Sequence, residues 1–152
     1  MQVVRGNLHR LVYCSRIGLI AKTSIDLELP AILKIAQARN SAVDVTGALL
    51  VCNGWFVQAL EGPMQPVLET YGRITRDPRH EQLTIIEATP TRERHFANWS
   101  MCGLQVSPVD REIVQVLSSG GAFDPTKLSA ARALNLLVAV GKMQQKAAAV
   151  LL

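Results

Sequence analysis

Two apolar runs, VTGALLVC and WFVQALE, meet at Asn53-Gly54, and this junction constrains the fold more than any other stretch of the chain. A two-residue type I′ turn needs positive φ at both central positions. Asn and Gly accept that at little cost, so the dipeptide marks a tight β-hairpin. The turn also sets the register. Period-two alternation puts Phe56, Gln58 and Leu60 on one face and Trp55, Val57 and Ala59 on the other, with Gln58 opposite Leu49. A buried carboxamide has donor and acceptor sites to satisfy, and orphaning one costs roughly 1–3 kcal/mol. Gln58 therefore needs polar partners from other elements.

The rest of the chain supplies those elements. HRLVYCS (9–15) reads as a first strand, rich in β-branched and aromatic residues. Asp26 is placed to cap a helix running to Arg39 or Asn40, with Pro30 within its first turn. Leu29, Ile32, Leu33, Ala36 and Asn40 share one face of that helix, and Asn40 is its polar member. A second helix is expected from Pro63 to Arg76, with Val67, Tyr71 and Ile74 inward and Asp77-Pro78 ending it. EQLTIIEATP (81–90) and NWSMCGLQV (98–106) read as further strands. The order β-α-β-β-α-β-β predicts an α+β, ferredoxin-like, five-stranded mixed sheet with two helices on one face. Residues 110–117 and 128–146 read as helices joined by a break at Gly120-Gly121. They are expected to cover the other face, since strands apolar on both sides need two covers.

Composition narrows the function. With 152 residues, 49% of them hydrophobic, the chain can bury one proper core. Its net charge of +4 comes from scattered basic residues, so no nucleic-acid surface is expected. Cys14, Cys52 and Cys102 are widely spaced, with no CxxC pair, and His9, His80 and His95 are dispersed. Neither a disulfide framework nor a metal site is expected. No apolar run is long enough to span a bilayer, and the first residues lack a signal-peptide layout. A reducing, cytoplasmic setting is the expectation.

The polar residues that could meet Gln58 are Tyr13, in the middle of the first strand, and Asn40, with Trp99 and Met101 sharing one face of the last strand. A Tyr, a Gln and an Asn converging beneath two helices would line a site for a planar, hydrogen-bonding ligand. LVYCS, ARNSAVDVTGALL, NGWFVQALEG, RITRDPRH and FANWSM stand in the order and spacing of one family. Through these motifs the chain resembles the BLUF family of flavin-binding blue-light receptors over residues 7–105, with residues 106–152 as a C-terminal helical extension.

The resemblance implies roles for particular residues. Tyr13 matches the photoactive tyrosine that gives an electron and a proton to the excited flavin, and Gln58 the glutamine that bridges the two. Asn40 matches the asparagine bonded to a ring carbonyl, and Ile32, Phe56 and Arg73 complete the expected surroundings of the ring. Asp77, Arg79 and His80 fall where relatives contact the outer flavin edge or its ribityl and phosphate chain. Trp99 and Met101 match a pair that relays the signal. Arg39 and Ala36 depart from the residues commoner in the family.

The implied cofactor is FAD, with FMN or riboflavin as alternatives, and the flavin is expected between the two helices. The chain is then a photosensor and not an enzyme. It is expected to act on a separate downstream effector and to form a homo-oligomer, with no nucleic-acid or membrane partner. Two other readings exist for the same fold. An acylphosphatase-type hydrolase would need an early Arg-bearing loop and leaves Gln58 and Tyr13 unexplained. A light-independent ligand-binding or dimerisation module would leave the protein colourless.

Overall fold

The computed structural model of the chain describes residues 8–18, 25–97, 102–105 and 123–151. Its elements are β1 (Leu8–Ile17), α1 (Ile25–Ala42), β2 (Thr46–Cys52), β3 (Trp55–Pro63), α2 (Met64–Thr75), β4 (His80–Pro90) and β5 (Cys102–Gln105). A short 3-10 turn (Pro125–Lys127) then leads to α3 (Ala130–Leu151).

The hairpin forms as its dipeptide dictates. Asn53 and Gly54 adopt φ of 49° and 81°, and the register places Leu49 opposite Gln58. β1 pairs antiparallel with β3 on one side and β4 on the other, so β4, β1, β3 and β2 form an antiparallel sheet. The segment Cys102–Gln105 pairs in parallel with β2, giving the order β4-β1-β3-β2-β5. The β1–β4 ladder slips twice, once between Val12 and Tyr13 and once between Cys14 and Arg16. Gln82, with φ of 51°, sits on β4 opposite the second slip. An extra residue in one strand bends it and increases its twist, so β4 curls at the end where His80 enters.

Alternation along the central strands divides the core in two. Leu11, Tyr13, Leu49, Val51, Phe56 and Leu60 pack against α1 and α2, joined by Leu29 and Val67. Val12, Cys14, Leu50, Val57 and Ala59 face the other way, against Ala133, Leu136, Leu137 and Val140 of α3. Those four α3 positions follow the i, i+3, i+4, i+7 rule for a single apolar stripe. Each fully buried Leu, Val or Phe contributes about 1.5–3 kcal/mol, so both covers are needed to keep the sheet from water. α3 is thus part of the same core as the sheet, packed on the face away from α1 and α2.

Several boundaries differ from expectation. α1 begins at Ile25, so Asp26 lies inside its first turn and is not its cap, and Pro30 falls at the sixth helical position, beyond that turn. A proline there cannot donate to the carbonyl four residues back, and the buried face carried by Leu29 holds the helix despite that loss. The helix expected at 110–117, the Gly120-Gly121 break and residues 98–101 of the last strand lie outside the described residues. No helix among the described residues is long and apolar enough to cross a membrane.

Candidate functional site

α1 and α2 do not close over the sheet, and the gap between them is a cleft. Ile32, Ala36 and Asn40 line it from α1, and Thr70, Arg73 and Ile74 from α2. Leu49, Phe56 and Gln58 form its floor, and Asp77, Arg79 and His80 close one end. Its free space of about 160 Å³ is close to the roughly 150 Å³ cavity known to accept a single aromatic ring. The outer rim, with Arg39, Ile35 and Arg73, is exposed, so a larger flat ligand can extend outward.

Beneath the floor, Tyr13 is fully buried and sits directly opposite Gln58 in the β1–β3 register. Its phenol donates a hydrogen bond to Gln58 Oε1. Burial, followed by the nearby Tyr71 and Asp77, holds the Tyr13 pKa well above that of an ordinary phenol, so the residue keeps its proton at any physiological pH. The Tyr71 ring meets it edge-on, with centroids 5.3 Å apart. Tyr13 is not itself on the cleft wall. It reaches the cleft through Gln58, which touches both.

Asn40 is fixed by its position in the last turn of α1. Its backbone carbonyl accepts from Val43 and Val45, and Asp44 turns the chain with φ of 60°, a conformation that Asp tolerates better than most residues. The Asn40 side chain is buried at the cleft wall. Two carboxamides from different elements therefore converge on one cavity.

His80 lies against Phe56, with ring centroids 4.5 Å apart, and its Nδ1 is 2.8 Å from Ser15 Oγ. Burial lowers its pKa to about 4, against a smaller upward pull from Asp77, so the imidazole is neutral at pH 7. Asp77 and Arg79 form a closed pair: Arg79 Nε lies 3.0 Å from both carboxylate oxygens, and Nη2 lies 2.6 Å from Oδ2. The Asp77 carboxyl is held below its usual range by the Arg79 hydrogen bond. Arg73 Nη2 reaches Thr70 Oγ1 at 3.4 Å.

The structure gathers Ile32, Asn40, Phe56, Gln58, Arg73, Asp77, Arg79 and His80 around the cleft, with Tyr13 directly behind it. Trp99 and Met101 lie outside the described residues. Ser15 and Thr70 were missed. Ser15 follows Tyr13 by two positions, so the same alternation could have placed it on the helix-facing side. Arg39, singled out only as a departure from a pattern, and Ala36, also placed on the apolar face of α1, both line the cleft. The donor set suits a flavin. Two buried amides can meet the polar edge of a planar ring, apolar walls can hold its faces, and arginines at the rim can meet an anionic tail.

The chain matches the profile of the family described as "Sensors of blue-light using FAD", BLUF, over residues 8–102 and belongs to that family. Among curated relatives, it is 43% identical over 76 residues to the photoactivated adenylate cyclase subunit beta of Euglena gracilis. That match covers 49% of this chain and 9% of the relative, so the chain corresponds to a small part of the curated proteins it resembles. The solved ground-state structure of BlsA superposes with a TM-score of 0.76 at 26% identity, over 86% of this chain and 87% of that one. The dark-state structure of BlrB, a BLUF protein, does so with a TM-score of 0.69 at 27% identity, over 90% and 96%.

Proposed function

We propose that the chain binds FAD, with FMN or riboflavin as alternatives, between α1 and α2 and converts blue light into a change in the hydrogen bonding of Gln58. The observation that carries this reading is the buried Tyr13–Gln58 hydrogen bond at the floor of the cleft. A bound flavin supplies the absorption of blue light and a centre able to take up an electron and a proton.

The protein's part is orientation and proton handling. Tyr13 is a neutral phenol held against Gln58, able to give up a proton when oxidised and to take it back afterwards. Gln58 accepts from Tyr13 at Oε1 and carries its donor pair on the other branch of the same amide. One carboxamide can therefore carry a proton between Tyr13 and a group in the cleft. Turned over or tautomerised, the amide would present a new donor to a ring carbonyl, which shifts the absorption to the red. Asn40 would hold a second ring carbonyl, with Ile32 and Phe56 against the ring. Arg73, Asp77, Arg79 and His80 would meet its outer edge and tail.

The output runs through β5, with Trp99 and Met101 as the relay, to α3 and the rest of residues 106–152. Such a relay shifts the population of two states that differ in a few hydrogen bonds. We place the effector in a separate protein in the cytoplasm and expect the sensor to self-associate. It catalyses no substrate reaction. Its relatives' names, photoactivated adenylate cyclase among them, support coupling to an effector without identifying this one. The test is direct. After flavin supplementation the purified chain should be yellow, and blue light should move its absorption to the red and let it return in the dark. A colourless protein, or a yellow one unmoved by light, ends this reading.

A further inference from the structure

β3 ends in a buried carboxylate that the light-sensing step does not use. Glu61 is fully buried, and alternation places it on the α3 side with Val57 and Ala59. Its Oε1 accepts the backbone N–H groups of two successive residues, His95 at 2.8 Å and Phe96 at 2.9 Å. Both hydrogen bonds converge on a single oxygen. Oε2 has no hydrogen-bond donor within range among the described residues. Arg10 Nη1 lies at ion-pair distance from it, 3.6 Å, and His95 Nδ1 lies 3.5 Å away.

A second strap ties the same segment. Arg94 Nη1 donates to Thr46 Oγ1 at 3.0 Å and to the Glu61 carbonyl at 3.3 Å. Its Nη2 lies 2.9 Å from both the Asp44 carbonyl and the Asp44 carboxylate. On the β1 side, Arg10 pairs with Glu87 at 2.8 Å and reaches Thr91 Oγ1 at 3.4 Å. The Phe96 side chain is fully buried in the α3-side core. The chain leaving β4 is therefore fastened to β1, β2 and β3 before it reaches β5. β3 carries Gln58 on one face and this fastening on the other, three positions along.

We propose that Glu61 is a positioning residue for signal output. Its carboxylate holds the backbone at His95 and Phe96, so that a change at Gln58 moves β5 relative to a fixed point and reaches α3. With the clasp released, slack in the β4–β5 connection absorbs that change. The inference rests on the photosensor reading above and assigns Glu61 no part in flavin binding or photochemistry.

The test is amide hydrogen exchange on the flavin-loaded full chain, dark and illuminated, alongside its absorption spectrum. In Glu61→Ala the dark spectrum and red shift should match the parent, while the His95 and Phe96 amides exchange about tenfold faster or more. The light-minus-dark difference across residues 102–105 and α3 should fall to less than about half of the parent's, a loss of coupling between sites. Glu61→Gln keeps an oxygen that can accept both N–H groups and should restore it; a Gln variant no better than Ala overturns the hydrogen-bond clasp. Should Glu61→Ala not fold, Glu61→Leu fills the buried site with a side chain that cannot accept the two N–H groups and should show the same loss. A normal red shift with an unchanged response in β5 and α3 in these variants overturns the proposal alone. No red shift in the parent overturns the photosensor reading and this proposal with it.

Discussion

Tyr13 and Gln58 face each other directly across the β1–β3 pair, and the phenol of one donates to the carboxamide oxygen of the other. The pairing follows from backbone register, because Gln58 is also opposite Leu49 in the hairpin closed by Asn53-Gly54. A one-residue slip on either side would turn Gln58 toward α3 and away from the cleft. The proposed switch is therefore positioned by the central strands of the sheet, the most deeply buried part of the protein.

Tyr13→Phe should leave the fold and flavin binding intact and abolish the persistent red shift. The ring still fills its site beside Tyr71, and only the O–H bond to Gln58 is lost, at about 1 kcal/mol of stability. Absorption difference spectra before and after blue light decide the matter. A normal red shift in Tyr13→Phe removes this residue from the mechanism.

Gln58→Leu should also abolish the shift, with a larger penalty to the fold. Leucine suits the apolar floor but strands the Tyr13 hydroxyl in the core, costing roughly 1–3 kcal/mol. The double variant Tyr13→Phe/Gln58→Leu should recover part of that stability, since both polar partners are then gone. Urea denaturation of the four proteins gives the coupling. Strict additivity would show that the hydrogen bond contributes nothing to stability.

Much of this site was legible because hairpin register and helix periodicity follow short-range rules. Asn53-Gly54 placed Gln58, and the apolar stripe of α1 led to Asn40. Tertiary context accounts for what escaped. Asp26 has the chemistry of a cap and Pro30 that of an early turn, yet both lie within α1, whose buried face packs on the sheet. Thr70 stands out only when the assembled site surrounds it. Glu61 drew no reading of its own from the sequence, and nothing local announced that the backbone of residues 95–96 would come to cover it.

The rim arginines should distinguish flavins by their tails. Arg39 and Arg73 are exposed at the cleft mouth, where their attraction for a phosphate is screened by salt. Arg39→Ala/Arg73→Ala should weaken FMN binding by about three- to tenfold at low ionic strength, with little effect on riboflavin. The FMN effect should shrink as salt is added. Fluorescence quenching titrations with both ligands provide the measurement, and equal losses for the two would place the phosphate elsewhere.

His80 should make the fold sensitive to mild acid. Its folded pKa of about 4, set by burial, lies below the ordinary 6.5, so between these values the unfolded chain binds a proton that the folded chain does not. Stability therefore rises with pH across that window, is fully present above about 6.5, and is lost as pH falls toward 4. The contribution is of the order of 3 kcal/mol at most. Asp77, whose folded pKa is also depressed, acts in the same direction but below its ordinary value of 3.8, so the two windows separate. His80→Gln keeps a polar group facing Ser15 and removes the titration. Denaturant midpoints from about pH 4 to about pH 7.5 should slope for the parent and flatten for His80→Gln. Equal slopes in the two proteins would show that His80 is not held neutral by its burial between Phe56 and Ser15.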